Sequence, residues 1–600
     1  MQATRLSNVL QVHSFLAILR TGTTVSGNQL EGTELEEGLK TYHYSTDDST
    51  FEIALSLRKN HISPLGLGTA PETIQIILGD DAEWQDSQGQ ECMSNAAFIE
   101  CNLKKKSFRA LSSIVALPPL FLYSGIGYIA LASNIHLFLK ISGLALHFDP
   151  AGLRDFCNVG YPVNHRTLFK DVSLVPGGSM LTADPEGRVA VDRAWTFPER
   201  DPLPDWDSYT DLQLDAFKQA VRQIDLSQSF LSLTAGLDTR AILAALVMNG
   251  IRLPAFTMCG ALLSLDARTA RGLSKAYEFN HRVIVLDESF YKNLPAYLLE
   301  ACRLSGGLSS LEQAHEVYFY ANTACTAAAR LSGNLGNQIG RRGTERISMR
   351  NTESSFLRFE HMTGVRSSGD EAHWYINGLS PDGSLDYKFL LQQEVPFSSV
   401  GNYSIGTSFL IQQSPYASRQ LFEITQRMPS QDGLEKDLSL LNMRIRDLKH
   451  RFLGETASLS FQVKMIKETG GYVASCPINW GWRARGGVSA TGIFKGFLTF
   501  LDALTYSRGL TSGFPGKILK LMHISGLHEF IHHKEVLKSN LKNFLYDNLL
   551  STAIEQSGLF DQAVLRKMLH EHYSSQVCHH KSLVLALDIA LAHKIFKVVV

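Results

Sequence analysis

The stretch "SFLSLTAGLDTRAILAALVMNG" (residues 229–250) joins two apolar runs through a small, polar turn. The first run has the length and composition of a buried strand, and the second, which ends at Gly250, is typical of a helix. Small residues and hydroxyl groups at the carboxyl end of a strand, just before a helix, can bind phosphate oxygens through backbone N–H groups. The turn that we interpret in this way contains Thr234, Ala235, Gly236, Asp238 and Thr239.

Asp238 is the one carboxylate of this turn, and it would repel a phosphate group unless a cation lay between them. Mg²⁺ is commonly bound by one or two carboxylates together with substrate phosphates. The turn therefore predicts a phosphate ligand that is bridged by Mg²⁺, with Asp238 as the metal ligand. The alternative is a tight strand-to-helix turn in which Asp238 only caps the helix.

The segments on either side predict the architecture. "DLQLDAFKQAVRQI" (211–224) and "DARTARGLSKAYEFN" (266–280) have helical patterns, whereas "LPAFTMCG" (253–260) and "RVIVLD" (282–287) have strand patterns. Alternating strands and helices indicate a parallel sheet covered on both faces. The chain is rich in strand patterns up to about residue 200 and mostly helical after about 410.

A linker is predicted at "PERDPLPDWDS" (198–208), which holds three prolines and four acidic residues. We therefore predict one domain at 1–197 and a second at 209–600. A chain of 600 residues is too long for a single core, and its hydrophobic content of 44% is that of ordinary globular proteins.

Charge and cysteine usage limit the partners and the compartment. The formal net charge of −1 gives no overall basic field for nucleic acid or an anionic membrane. The most apolar segment (110–133) is interrupted by Pro118 and Pro119, so it predicts two strands joined by a turn and not a membrane helix. The eight cysteines are widely spaced without a C-x-x-C pair, which favours free thiols and a cytoplasmic location.

The turn T-A-G-L-D-T (234–239) resembles S-G-G-x-D-S, the pyrophosphate-binding loop of the asparagine synthetase family, to which β-lactam synthetases and lasso-peptide cyclases are related. "FLYSGIGYIALASN" (121–134) followed by "VSLVPGGSML" (172–181) is similar to the end of that family's glutaminase-like domain. "LSGNLGNQIG" (331–340) stands where the family carries S-G-x-G-x-D-E. The resemblance is firm over about 110–340 and looser beyond 410.

This resemblance implies a fold and an activity. The fold would be an α+β Ntn-type glutaminase-like sandwich followed by an α/β PP-loop (adenine nucleotide alpha hydrolase-like) synthetase domain with a helical C-terminal part. The activity would be ATP-dependent formation of an amide bond. A small-molecule or peptide carboxylate would be adenylated with release of pyrophosphate, and ammonia or an amine would then displace AMP.

The resemblance also implies site residues for ATP and Mg²⁺. The pyrophosphate loop would be formed by the five residues of the turn, with Asp238 as the magnesium ligand. The backbone near Phe256, Thr257 and Met258 would line the adenine pocket. Ser332 and Gly333 would approach the nucleotide from the other side.

The chain departs from the family at its start. Glutamine-dependent members carry a cysteine after the initiator methionine as the nucleophile of the glutaminase. This chain has Gln2 in that place, and its first cysteine is Cys92. Because an amide side chain cannot attack another amide, we expect an inactive glutaminase-like domain that serves as a scaffold.

A second departure lies in "SGNLGNQ" (332–338), where amides replace acidic residues and Leu335 replaces a glycine. A carboxamide oxygen can still ligate Mg²⁺, but it supplies no charge. Arg341 and Arg342 could pair with a carboxylate or a phosphate, or be solvated loop residues. The family's essential lysine has no clear counterpart, and Lys449 and Lys464 are the candidates. The amides that replace acidic residues are Asn334, Asn337 and Gln338.

These departures leave a second function open, namely a catalytically inactive nucleotide-binding or partner protein of the same fold. Two other motifs allow more than one interpretation. "HEFIH" (528–532) has the H-E-x-x-H spacing of zinc proteases but lacks a third ligand, so we interpret it as the polar side of a helix. "PINWGWRARGG" (477–487) indicates either a loop at the mouth of the site or tryptophans packed under a loop.

Overall fold

The structure is a computed structural model that describes residues 9–11, 14–20, 34–35, 41–46, 50–56, 72–80, 95–125, 127–262, 264–324, 326–340, 390–429, 461–477, 482–485, 487–488, 536–537, 539–574 and 579–598. Up to residue 193 it consists mainly of strands, as the β-rich runs between Gly, Pro and Asp turns predict. A helix, α1 (Pro150–Val159), separates β9 from β10. The strands are β1 (Val9–Gln11), β2 (Ser14–Arg20), β3 (Thr41–Ser45), β4 (Phe51–Ser56), β5 (Thr73–Gly79), β6 (Ala96–Asn102), β7 (Ser107–Leu111), β8 (Phe121–Gly125), β9 (Tyr128–Ala132), β10 (Val172–Leu174), β11 (Ser179–Ala183) and β12 (Val189–Arg193).

These twelve strands form two six-stranded sheets, in the orders β1-β5-β6-β7-β11-β12 and β10-β8-β9-β2-β4-β3. The strand pairs are antiparallel except for β1 with β5. Phe15 and Leu19 of β2 share a core with Ile76 of β5 and Ile99 of β6, which places the two sheets face to face. The N-terminal part is therefore an antiparallel β-sandwich. The pairing of β8 with β9 confirms the hairpin predicted in the most apolar segment.

The next part of the chain alternates helices and strands, as predicted. Its five strands are all parallel and lie in the order β15-β14-β13-β16-β17, with β13 in the centre. In chain order, β14 and β15 follow on one side of β13, and the chain then crosses the sheet, so that β16 and β17 lie on the other side of β13. The elements are α2 (Trp206–Gln223), β13 (Ser229–Ser232), α3 (Leu237–Met248), β14 (Ala255–Cys259), α4 (Leu265–Ala276), β15 (His281–Val285), α5 (Glu288–Ser305), α6 (Ala314–Thr323), β16 (Ala329–Leu331), α7 (Gly336–Gly340), α8 (Val395–Thr407) and β17 (Ile411–Gln413).

The described residues after β17 are mostly helical. A short 3₁₀-helix (Pro415–Ala417) follows β17 directly, and another (Ile135–Lys140) and a short π-helix (Leu390–Glu394) lie earlier in the chain. Among the helices in the described ranges, none combines the length and the apolar character needed to span a bilayer. The elements are α9 (Arg419–Thr425), α10 (Phe461–Thr469), α11 (Gly471–Ser475), β18 (Trp482–Arg483), β19 (Gly487–Val488), α12 (Lys542–Leu549), α13 (Thr552–Ser557), α14 (Gln562–Ser574) and α15 (His580–Phe596).

Hydrophobic cores connect the sandwich to the parallel sheet. Leu16 of β2 belongs to the same core as Phe230 of β13, on the face of the sandwich opposite to Phe15. Both faces of β2 are therefore buried, which explains its uninterrupted apolar sequence. Helix α2 begins at Trp206, inside the predicted linker, and the carboxylate of Asp205 caps it. The predicted domain boundaries stay predictions.

Candidate functional site

Two loops meet at the carboxyl edge of the parallel sheet. One follows β13 and leads into α3, and the other follows the neighbouring strand β16 and leads into α7. In open parallel sheets, ligands bind beyond the carboxyl ends of the strands, where the strand order reverses. That position lies between β13 and β16 here. A Cβ atom added to Gly333 would lie 2.8 Å from the Cβ of Asp238, so the two predicted segments are in contact.

Most N–H groups of the first loop are already hydrogen-bonded inside the protein. The Thr234 N–H donates to Oγ1 of Thr239 (3.2 Å), and the Gly236 N–H donates to Oγ1 of Thr234 (3.0 Å). The Ala235 N–H donates to the carboxylate of Asp266 (2.5 Å). These three N–H groups do not face outward, which corrects the prediction that they bind phosphate oxygens. No side chain caps the N-terminus of α3, and N–H groups in the first turn of a helix can bind an anion.

Two buried charged side chains, Asp266 and Arg240, hydrogen-bond to the two backbone polar groups of Ala235. Asp266 accepts from its N–H, while Nη2 of Arg240 donates to its carbonyl oxygen (3.0 Å). The Arg240 guanidinium is only 1% exposed, and it also donates to the carbonyl oxygens of Cys476 (2.6 Å) and Pro477 (3.0 Å). Burial raises the pKa of the Asp266 carboxyl, although the Ala235 N–H and the Arg240 charge oppose this shift. The loop is therefore tied to α4 and to the segment after α11.

The side chain of Asp238 is fixed by residues far away in the sequence. Its Oδ1 accepts a hydrogen bond from Nε2 of Gln462 on α10 (2.6 Å). The hydroxyl of Tyr416 donates to the Asp238 backbone carbonyl oxygen (2.8 Å). A Cβ atom added to Gly336 would lie 2.7 Å from the Asp238 Cγ, so this glycine allows the carboxylate to approach α7 closely.

The residues present fit a cation that arrives with a phosphate ligand. Within the described ranges, no group of three or more His, Cys, Asp or Glu side chains could hold a metal ion. Asp238, half-buried at the start of α3, supplies one carboxylate. A cation that arrives with substrate phosphates needs only one or two protein carboxylates, and the assignment of Mg²⁺ to Asp238 stays a prediction.

The predicted adenine-pocket residues lie within β14, next to the first loop. The hydroxyl of Thr257 donates to the Leu233 carbonyl oxygen (2.6 Å), so it accepts from Nε2 of His281 (2.8 Å). Burial lowers the pKa of His281 to about 4, which leaves the ring neutral at pH 7 with its proton on Nε2. The side chains of Phe256 and Met258 belong to the core shared with the sandwich. A nucleotide contact at these positions would therefore come from the backbone, as predicted.

The second loop retains the backbone shape expected of a glycine. Leu335 has a φ of 66°, the left-handed region in which glycine is unstrained and other residues are not. Ser414 fixes this loop by donating to the Asn334 carbonyl oxygen (2.6 Å). Ser332 is buried and its N–H donates to the Gln413 carbonyl oxygen (3.0 Å). The roles proposed for the three amides of this loop stay predictions.

Of the two lysine candidates the structure describes Lys464, which does not contact Asp238. Lys464 forms an ion pair with Asp211 of α2, both with partly exposed side chains. It follows Gln462 by two positions, or about 200° around a helix, so the two side chains point to different sides of α10. Lys449 lies outside the described residues, as do Gln2, Cys92, Arg341, Arg342 and "HEFIH". Of "PINWGWRARGG", Pro477 contacts Arg240, and Trp482–Arg483 pairs with Gly487–Val488 in a short hairpin.

The sequence interpretation missed four residues of the site. Asp266 and Arg240 had a local signal, because each is a charged residue in a segment that flanks the loop. No local sequence signal links Gln462 or Tyr416 to Asp238, because both residues lie far from it along the chain.

Comparisons with known proteins give no family. No family model matches the sequence, and no curated protein matches it. One solved structure to which the chain is similar is described as the allosteric regulatory enzyme of purine biosynthesis. The two share 9% identity over 57% of this chain and 78% of the other, with a TM-score of 0.20. Values this low assign neither a fold nor an activity, so the resemblance to asparagine synthetases stays a prediction from the motifs.

Proposed function

We propose that the protein is an asparagine synthetase-like, ATP-dependent ligase that joins a carboxylate to ammonia or an amine, without a glutaminase of its own. The observation that carries the proposal is the contact between the Asp238 turn and the loop after β16 at the carboxyl edge of the sheet. This is the position at which open parallel sheets bind nucleotides. The two loops are also those whose sequences resemble the nucleotide-binding segments of the family.

The proposed reaction has two steps. A carboxylate oxygen of the substrate attacks the α-phosphorus of ATP, and the bond to the bridging oxygen of the β-phosphate breaks, so that pyrophosphate leaves. The nitrogen of ammonia or an amine then attacks the acyl carbon. AMP leaves with the electron pair of the broken C–O bond, and the nitrogen loses a proton.

The residues have distinct roles in this proposal. Asp238 would hold Mg²⁺, which when bound neutralises charge on the leaving pyrophosphate. The hydroxyls of Thr234 and Thr239 are hydrogen-bonded to each other at 3.0 Å, so one of the two would have its proton free to donate to a phosphate oxygen, together with the first turn of α3. The pair Arg240 and Asp266 would keep the loop in one shape as the charge of the ligand changes. The β-sandwich would act as a scaffold for the parallel sheet, with which it shares a hydrophobic core.

A second candidate is a protein that binds the nucleotide without catalysing a reaction. It is favoured by the neutral side chains of Asn334, Asn337 and Gln338 where the family is acidic. The neutral amide of Gln462 beside Asp238 also favours it. Both candidates require a nucleotide at the same place.

Exchange of labelled pyrophosphate into ATP separates the two candidates. The full-length chain would be assayed with Mg²⁺ and a panel of amino acids and peptides, alongside Asp238→Asn and a control, Asp215→Asn, on the exposed face of α2. Exchange that requires one carboxylate, vanishes in Asp238→Asn and persists in the control supports the ligase. Binding of MgATP without exchange for any carboxylate supports the non-catalytic candidate, and absence of binding refutes both.

A further inference from the structure

Gln462 is the side chain of α10 that reaches into the crevice between β13 and β16. It is fully buried, and its Nε2 lies 2.6 Å from Oδ1 of Asp238, which precedes it by 224 residues. The same nitrogen lies 3.1 Å from the Gly336 carbonyl oxygen and 3.2 Å from the Tyr416 hydroxyl. One amide nitrogen therefore connects α3, α7 and the turn after β17.

These partners fix which end of the amide faces Asp238. A carboxylate and a carbonyl oxygen can only accept hydrogen bonds. The Tyr416 hydroxyl gives its proton to the Asp238 carbonyl oxygen, so it too accepts from Gln462. Because all three partners are acceptors, the NH₂ group of Gln462 must face them, with its two protons shared among three oxygens, and the flipped amide would place its oxygen against three oxygens.

Two glycines of the "GNQIG" segment (336–340) make this contact possible. A Cβ atom at position 336 would lie 2.7 Å from the Asp238 Cγ, and one at position 340 would lie 2.5 Å from the Gln462 Cδ. Side chains other than hydrogen at these positions would separate the carboxylate from the amide. The backbone of α7 is thus shaped around the pair formed by Asp238 and Gln462.

We propose that Gln462 is a positioning residue that holds the Asp238 carboxylate for a magnesium-bound nucleotide while leaving its negative charge intact. This inference rests on the proposed function. An amide donates a hydrogen bond without contributing net charge, whereas a lysine in this place would form an ion pair and cancel the charge that attracts the metal. Because Gln462 acts through Asp238, the loss of its amide should weaken the binding of magnesium-bound ATP. It should leave the binding of metal-free ATP unchanged.

The test measures the affinity for ATP by calorimetry with the full-length chain, once with excess Mg²⁺ and once with EDTA. The variants are Gln462→Met, which keeps the size of the side chain without its donors, and Lys467→Gln, a control on the exposed face of the same helix. Gln462→Met should weaken MgATP binding by about 10–100-fold, the usual effect of removing a partner of a metal ligand. Binding of metal-free ATP should be unchanged in both variants. A purely structural role of Gln462 would weaken both forms equally.

The outcomes separate this inference from the proposed function. If the wild-type chain binds MgATP and Gln462→Met binds it equally well, or loses both forms in parallel, the positioning role is refuted and the proposed function stands. If the wild-type chain binds no MgATP, the proposed function fails and the inference fails with it. Should Gln462→Met not fold, Gln462→Asn takes its place, since its amide is one methylene too short to reach Asp238 and predicts the same selective loss.

Discussion

Replacing Arg240 with methionine tests how the loop after β13 is held. Met fills much of the same volume but removes the guanidinium, which donates at 2.6, 3.0 and 3.0 Å to the carbonyl oxygens of Cys476, Ala235 and Pro477. It also leaves the buried carboxylate of Asp266 without its compensating charge. Each buried acceptor left without a partner costs about 1–3 kcal/mol, and three carbonyl oxygens lose theirs here, so we expect the free energy of unfolding to fall by at least about 3 kcal/mol.

The assay is urea denaturation followed by circular dichroism, with Arg222→Met on the exposed surface of α2 as the control, for which we expect a change within about 0.5 kcal/mol. The double variant Arg240→Met, Asp266→Asn removes both charges, so it should cost less than the sum of the single variants by about 0.5–3 kcal/mol. A loss below about 1 kcal/mol in Arg240→Met, or strict additivity, would refute the reasoning, because a buried, hydrogen-bonded charge cannot be removed so easily.

Three further predictions concern other parts of the molecule. Burial raises the pKa of Asp588 on α15 to about 8, so between about pH 4 and pH 8 the folded state binds a proton that the unfolded state has released. The free energy of unfolding should therefore fall as the pH rises over this range. Melting temperatures measured over the same range should vary less in Asp588→Asn. Glu316 pairs with the half-buried Arg330 at 2.6 Å, so Glu316→Gln should lower the free energy of unfolding in urea by about 1.5–3 kcal/mol, whereas an unchanged midpoint would mean that the pair is not needed. Gly336→Ala places a methyl group 2.7 Å from the Asp238 Cγ and should weaken MgATP binding at least about tenfold by calorimetry; unchanged affinity would contradict the close approach.

The strand-rich N-terminal part and the alternation of strands and helices that follows were predictable because their signals are local. A short apolar run followed by T-A-G-L-D-T and an apolar helix places a loop at the end of a strand, whatever the rest of the chain does. The hairpin of β8 and β9 and the alternation from α2 to β15 follow from equally local patterns. Once β13 and β16 are neighbours, the loops that follow them must meet.

The partners of the site residues were not predictable because they depend on contacts between distant segments. Asp266 follows Ala235 by 31 positions and Gln462 follows Asp238 by 224, and no periodic pattern links either pair. The glycine-like backbone of Leu335 is also invisible in a leucine. The prediction that the N–H groups of Thr234, Ala235 and Gly236 face outward is wrong, because the hydroxyls of Thr239 and Thr234 and the carboxylate of Asp266 accept from them.

The central claim is that a magnesium-bound nucleotide binds against the turn that carries Asp238. Isothermal titration calorimetry of the full-length chain with ATP in excess Mg²⁺ tests it most directly, with Asp238→Asn and Asp215→Asn measured in parallel. We predict saturable binding to the wild-type chain and to Asp215→Asn, and a loss of that binding in Asp238→Asn. No binding to the wild-type chain, or equal affinity in all three proteins, would contradict the account.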